Sequence, residues 1–463
     1  MSAAELPGAS PELDGFVLGE RIHAGPASDM FRVRRRAAGD VPLLMKRPRT
    51  TVGAGAAALI GFETEAMVLP FLGGPHVPTL VASGPLDRAP YLVFEEVEGS
   101  SLARLAEEAP LEASRVAELG AAIADALHDI HGQEAIHLDL KPQNVLIRPS
   151  GAAVLIDFGM AHHARCPDLL AEEKRFAAGS TPYVSPEQVL GRRTDPRSDL
   201  FALGVILYEM ATGKLPFGVP QTVAGLRDRL WLEPVPPRAL KPDLPPWLQE
   251  VILRCLEVDS AKRYQSAAHV AFDLRHPDQV PVTQRAARSR RAGVLAQARR
   301  WWASRPAPLR EPADERAAEA PVVLVAVDTM HPDDPRHPAI RDAVARILSL
   351  SADFRLILVS VVHGEPVGGA GTEAGIHLEH TIRLRHWVEP LRLGSERRMS
   401  THVIESLNPA AALLDFARHN NVDLIVIGAP HADLQALAWW RSVASAVTAN
   451  AHCSVHVVRT PRG

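Results

Sequence analysis

The residues best suited to chemistry lie in two short clusters. The first is His137-Leu138-Asp139-Leu140-Lys141-Pro142-Gln143-Asn144, and the second, after the apolar run Val154 to Ile156, is Asp157-Phe158-Gly159. A carboxylate such as Asp139 can orient a hydroxyl and take its proton, and Lys141 places a cation two residues away. Asn144 and Asp157 supply oxygens of the kind a hard divalent cation takes. Together they suit displacement at a phosphoryl group, where developing charge has to be neutralised while a hydroxyl attacks. Either tripeptide alone arises by chance; their joint order carries the information. The chemistry requires a loop for the first cluster and a strand-turn for the second, held side by side.

The pattern H-x-D-L-K-x-x-N followed by D-F-G resembles the catalytic half of the protein kinase signature. Gly179-Ser180-Thr181-Pro182-Tyr183-Val184-Ser185-Pro186-Glu187 is similar to the end of a kinase activation segment, and Arg197 to Gly204 to the start of the central C-lobe helix. The chain so resembles a bacterial eukaryotic-like Ser/Thr protein kinase, which implies a bilobal α+β fold over residues 14–278, the N-lobe about 14–94 and the C-lobe about 95–278. By that resemblance Asp139 is the base for the acceptor hydroxyl, Lys141 a cation on the transferring group, and Asn144 and Asp157 the Mg²⁺ ligands. Asp199 braces the catalytic loop and Glu187 pairs with Arg263. Lys141 favours Ser or Thr as acceptor.

Leu43-Leu44-Met45-Lys46 fits the strand that carries the phosphate-gripping lysine, making Lys46 that residue and Glu65 the carboxylate that positions it, with Glu63 the second candidate. The adenine edge is expected on Phe94, Glu95 and Val97 after the strand from Tyr91. The glycine-rich loop departs most. Of its three glycines only Gly25 remains, with His23 and Ser28 in the other two places and Met30 in that of the following Val, and Leu44 replaces a small residue. Missing glycines restrict how closely backbone N–H groups approach phosphate. An alternative reading is therefore a pseudokinase, a nucleotide-binding scaffold in stress signalling. Leu138 also replaces the Arg that pairs with a phosphorylated activation loop in many kinases, and Met160 to Gly179 contains no Ser, Thr or Tyr.

Composition bounds the rest. A chain of 463 residues with 46% hydrophobic residues and net charge −4 is too long for one core and has no overall pull toward nucleic acid. Cys166, Cys255 and Cys453 are dispersed and odd in number, which fits a reducing compartment. Residues 1–13 form a tail without a secretion pattern, and no apolar stretch approaches the roughly 20 residues of a membrane helix. We expect a cytoplasmic enzyme that uses ATP and Mg²⁺ on protein substrates. Residues 279–320 read as an Arg/Ala/Pro-rich linker, with Arg285, Arg288, Arg290 and Arg291 among its cations and Val294, Leu295, Trp301 and Trp302 among its apolar residues. A solvated tether is the favoured account; contact with an anionic surface is the alternative.

From residue 321 to 463 strand-like apolar runs alternate with helical patterns. Strands are expected at Val322 to Val327, Leu356 to Val362, Thr401 to Ile404, Asp423 to Gly428 and Ser454 to Val458. Helices are expected at Ala339 to Leu350, Pro409 to His419 and Val443 to Ala449, with a long polar excursion after Val362. Alternation predicts a doubly wound parallel α/β sheet of Rossmann-like type. Val325-Ala326-Val327-Asp328, Val422 to Gly428 and Cys453 to Arg459 make this part similar to the universal stress protein (Usp) family. That resemblance implies a regulatory or dimer-forming domain, and a candidate second nucleotide site at Asp328, Gly428 and Ser442. The family's glycine register falls on Gly428, His431, Arg441 and Ser442, so one glycine and the hydroxyl are kept.

Overall fold

The computed structural model describes residues 12–25, 27–36, 41–49, 56–86, 89–173, 181–220, 222–290, 301–302, 320–349, 354–362, 373–391, 399–429 and 442–459. Alternating apolar residues from Phe16 onward build an antiparallel sheet: β1 (Glu12–Leu13), β2 (Phe16–Ala24), β3 (Ser28–Arg35), β4 (Leu43–Pro48), β5 (Leu80–Gly84) and β6 (Tyr91–Glu95). Their spatial order is β1-β2-β3-β4-β6-β5. Phe16, Leu18, Val33, Leu43, Met45, Tyr91 and Val93 point to one face and form its core. Helix α1 (Ala56–Val68) links β4 to β5 and crosses the other side, where Phe62 and Val68 join the larger core below.

That larger core is helical. α2 (Ala113–Gly132) buries Val116, Leu119, Ile123, Leu127 and Ile130 at helical spacing, so one stripe faces inward. α3 (Leu169–Glu172) is a single turn, and α4 (Arg197–Thr212) is buried almost all round, marking it as the central helix. At Gly120 a Cβ would lie 2.4 Å from Leu207 Cδ2, so a larger residue there would displace Leu207 where α2 meets α4. α5 (Pro246–Cys255) and α6 (Ala267–Arg275) complete the packing.

The C-terminal part is a five-stranded parallel sheet of β7 (Val322–Ala326), β8 (Arg355–Val362), β9 (Met399–Glu405), β10 (Leu424–Gly428) and β11 (Ser454–Val458), ordered β9-β8-β7-β10-β11. α7 (Arg336–Leu348) and α8 (Glu373–Val388) cover one face with Ile340, Val344, Leu384 and Trp387; α9 (Pro409–His419) and α10 (Val443–Asn450) cover the other with Leu413, Phe416 and Val447. Helices on both faces make it doubly wound. The polar excursion after Val362 contains α8, which the sequence pattern conceals. Its buried positions include His377, His380 and Thr381 beside Leu384, so its inner stripe is not apolar in composition.

Two further outcomes concern the basic stretch. Arg291, Val294 and Leu295 lie outside the described residues, as do His431 and Arg441 of the second nucleotide register. Arg285 and Arg288 are half-buried and paired rather than free in solvent: Arg285 pairs with Glu257 (2.8 Å) and Glu250 (3.0 Å), and Arg288 with Glu233 (3.3 Å). Gln249 secures the same segment by donating to the carbonyls of Arg285, Ala286 and Arg288. No helix among the described residues is long and apolar enough to cross a membrane.

Candidate active site

The loop from His137 to Asn144 takes its shape from buried polar groups. Asp199 of α4 accepts from the backbone N–H of His137 and of Leu138, both at 2.9 Å, and meets His131 Nε2 at 2.9 Å. Burial alone would raise the Asp199 carboxyl, but the His131 bond leads the interactions that hold it below the usual carboxylate range. Leu138 adopts φ 60°, a left-handed conformation that costs a non-glycine residue roughly 1–2 kcal/mol. Two bonds fix it there: its N–H on Asp199, and its carbonyl accepting from Gln188 Nε2 at 2.8 Å. His137 Nδ1 accepts from Asp139 N (3.3 Å), which leaves Nε2 as the donor to Ile156 O (3.1 Å), and the ring packs on Phe158.

On this frame three of the sequence candidates converge. Lys141 Nζ donates to Asp139 Oδ2 at 2.8 Å, and Asn144 Nδ2 donates to the carbonyl and to Oδ2 of Asp139 at 2.9 and 3.1 Å. The amide nitrogen of Asn144 is therefore the atom spent on Asp139, and its oxygen is not. Ile156 N donates to Asn144 O (3.0 Å), tying the strand before Asp157 to the loop. Asp157 itself has φ 67°, which turns its side chain back toward Lys46.

Lys46 joins the two lobes. Its Nζ lies 2.5 Å from Glu65 Oε2 and 2.9 Å from Asp157 Oδ1. Of the two helix candidates Glu65 meets the lysine, and it also accepts from Phe158 N at 3.2 Å; Glu63 points elsewhere, to Arg385. Burial would lower the Lys46 ammonium, but Glu65 and Asp157 outweigh it and hold it above its usual value. Burial keeps the Glu65 carboxyl above the usual range despite Lys46, whereas Lys46 overcomes burial to hold Asp157 below it. The environment differs accordingly: the Glu65 side chain is 3% exposed and that of Asp157 is 44% exposed. Gly61 and Gly159 allow the close approach of α1 to the turn after Asp157, since a Cβ on Gly159 would sit 3.1 Å from Gly61 O.

The remaining candidates line the approach. Gly25 closes the β2–β3 turn with its N–H on Ser28 O (2.9 Å) and its carbonyl accepting from Arg49 (3.0 Å). A Cβ there would meet His23 Nε2 at 3.0 Å, so the imidazole lies against the turn. Phe94 is buried next to Leu44 in the sheet register, Glu95 is exposed at the end of β6, and Val97 is half-buried beyond it. In the C-terminal part Asp328 follows β7 and accepts from Met330 N (3.0 Å), while Gly428 ends β10 against Ile340. Ser442 caps α10 by accepting from Ser445 N at 3.2 Å. All three mark the carboxyl edge of the sheet; the residues between Gly428 and Ser442 are described only at Ala429.

A fold of antiparallel sheet over a helical lobe, joined by a lysine bridging two carboxylates beside an Asp-Lys-Asn loop, defines the protein kinase class. The protein kinase domain family matches residues 46–273, and the universal stress protein family matches residues 321–459. The chain thus carries a kinase domain followed by a Usp domain. It is 32% identical over 368 residues, 77% of this chain, to the serine/threonine-protein kinase pkn3 of Myxococcus xanthus. It is 32% identical over 267 residues, 56% of this chain, to PknB of Mycolicibacterium smegmatis, and 31% identical over the same length to PknB of Mycobacterium tuberculosis. The chain spans 66% of the length of the first and 42% of each PknB.

The kinase family implies ATP and a divalent metal, and the residues present fit both. Among the described residues no three of His, Cys, Asp and Glu gather as a metal cluster. Mg²⁺ bound to nucleotide phosphates needs only one or two protein oxygens, the rest coming from phosphate and water. The Asp157 carboxylate and the Asn144 amide oxygen, which Asp139 leaves unused, are the oxygens that would supply them.

Proposed function

We propose that the chain is a serine/threonine protein kinase that transfers the γ-phosphoryl group of ATP to hydroxyls of protein substrates in the cytoplasm, where ATP is supplied. Lys46 bridging Glu65 and Asp157 is the observation that carries the reading, because it aligns a phosphate-binding cation with the catalytic loop. In this reading Asp139 orients the acceptor hydroxyl and takes its proton. Lys141, bonded to Asp139, sits beside the path of the transferring group and offsets its charge. Lys46, positioned by Glu65, holds the α- and β-phosphates. Asn144 and Asp157 would hold Mg²⁺, which when bound neutralises the phosphates. Gly25, lacking a Cβ, lets the β2–β3 turn approach the phosphates, and Phe94, Glu95 and Val97 border the adenine.

The kinase domain is assigned to residues 14–278, followed by a linker at 279–320 and the Usp domain at 321–463. The Usp domain regulates the kinase in this account. Asp328, Gly428 and Ser442 form a candidate second nucleotide site there, and the exposed edge of β11 is a candidate surface for pairing with a second copy. The test is incorporation of labelled phosphate from ATP with Mg²⁺ into a generic protein substrate, followed by identification of the phosphorylated residue. Phosphoserine or phosphothreonine is expected; phosphotyrosine alone would remove the Ser/Thr assignment. Tight ATP binding without transfer would move the chain to the scaffold reading that the altered glycine loop suggested.

A further inference from the structure

Three carboxylates of the kinase domain, Glu63, Glu172 and Glu173, meet side chains of the C-terminal domain far along the chain, and two elements carry this long-range pairing. Glu63 on α1 is 5% exposed and pairs with Arg385 of α8. Glu172 on α3 is 3% exposed and is surrounded by the C-terminal domain: Ser400 Oγ donates to it at 2.8 Å, and Arg355 and His402 Nε2 pair with it. The fully buried ring of His402 also places Nδ1 3.0 Å from Glu173 Oε1 and packs on Phe416. The end of the α3 turn is capped from the same side, Ala171 O meeting His419 Nε2 at 2.8 Å and Glu172 O accepting from Asn420 at 3.3 Å.

Both docked elements carry or adjoin catalytic groups. α1 carries Glu65 two residues beyond Glu63, and α3 lies in the segment that follows Asp157. α3 also packs on α1 through Ile60, Leu169 and Leu170. From the kinase side its start is held by Asp168, which caps the turn and pairs with Arg193 at 2.8 Å. At the other end, Glu172 and Glu173 meet Arg355 and His402 of the C-terminal domain.

We infer that the C-terminal domain is an activating clamp acting in cis. Its β9 edge and α8 hold α1 and the activation segment in the arrangement that keeps Glu65 on Lys46. This rests on the kinase reading above and gives the regulation a surface and a sign. A domain shifts a kinase toward one state only by binding that state better. Here, α1 swinging away would draw Glu63 off Arg385, and a rearranged segment would leave Glu172 without Arg355 and His402. Both contacts therefore favour the closed Lys46–Glu65 pair. In many kinases a phosphorylated loop residue supplies negative charge to an arginine beside the catalytic aspartate. In this chain that arginine is Leu138, the negative charge is encoded as Glu172 and Glu173, and the cations come from another domain.

The test compares the full chain with its Arg355→Ala/Arg385→Ala double variant, and with Arg385→Glu alone and combined with Glu63→Arg. Phosphate transfer to a generic substrate and amide hydrogen exchange over 56–68 and 169–173 are both read. Calorimetry confirms that both domains stay folded. The clamp predicts a fall in kcat/KM of about 5- to 150-fold, the usual range of coupling between sites. Faster exchange in the two segments should accompany it, and the Glu63→Arg swap should recover part of both. Unchanged rate and exchange would overturn the clamp, and a faster variant would overturn its sign. If the unaltered chain transfers no phosphate yet the exchange changes appear, the docking surface stands, while its activating sign and the kinase reading fall.

Discussion

Replacing Arg263 by Ala tests how the activation segment is anchored. The guanidinium is fully buried and bonds Glu187 through Nη1 at 2.6 Å and Nη2 at 2.7 Å. It also donates to the carbonyls of Glu257 (2.7 Å), Arg197 (2.8 Å) and Val258 (3.2 Å) and packs over Phe201. Removing it leaves Glu187 with Ser198 Oγ at 2.8 Å. Breaking a buried pair in this way costs about 3–5 kcal/mol, since one charge is left without its partner. For a domain of this size each kcal/mol moves Tm by about 2–4 °C, so the kinase transition should fall by roughly 6–20 °C. Differential scanning calorimetry of the full chain is the assay, with the Usp domain's own transition as an internal reference. Glu187→Leu with Arg263→Met should recover part of the loss, because no lone charge remains, but not all of it, because three carbonyls have lost a donor. A single-variant shift below about 2 °C, or a double variant worse than the single, would refute the reasoning.

Further predictions follow from the site. Lys46→Met and Asp157→Ala should each lower transfer by about 10²–10³-fold, the usual cost of losing positioned charge, while far-UV circular dichroism is unchanged. Glu65→Gln should lower activity without lowering Tm. Burial raises the Glu65 carboxyl, so its favourable contribution is complete below the unfolded value and lost as pH rises through the folded one; at neutral pH its charge costs stability. A Tm drop of several degrees in that variant would contradict this. Asp199 has the opposite sign: held low in the folded state, it stabilises fully above about pH 3.9 and loses that contribution as pH falls further. Acid titration of unfolding should therefore show a shallower decline in Asp199→Asn than in the unaltered chain. Finally, phosphatase-treated protein should keep its activity, because Leu138 supplies no cation and Met160 to Gly179 no acceptor. Loss of activity that returns on rephosphorylation between Met160 and Glu187 would show otherwise.

How far the sequence could be read varied with distance along the chain. Asp139, Lys141 and Asn144 lie within six positions, so their convergence follows from one loop, and their spacing alone announces it. Lys46 and Glu65 were legible through their strand and helix, although only the structure separates Glu65 from Glu63. The alternation of apolar runs in the C-terminal part revealed its five strands and their parallel direction, because buried parallel strands are continuous in hydrophobicity. α8 escaped notice since its inward stripe includes His377, His380 and Thr381. The partners of Glu63 and Glu172 could not be read at all. Arg385 lies 322 positions from Glu63 and His402 lies 230 from Glu172, and no local pattern links residues so far apart. Gln188, which holds the Leu138 carbonyl, was missed for the same reason: its role depends on where a distant loop comes to rest.

The most direct measurement is single-turnover transfer of labelled phosphate from ATP with Mg²⁺ by the full chain, set against Asp139→Asn. That substitution keeps the size of the side chain while removing the carboxylate that takes the acceptor proton. The account predicts transfer to Ser or Thr by the unaltered chain and a loss of about 10²–10⁴-fold in the variant, the range general-base catalysis contributes. Equal rates in the two proteins, or no transfer by either while ATP still binds, would contradict it.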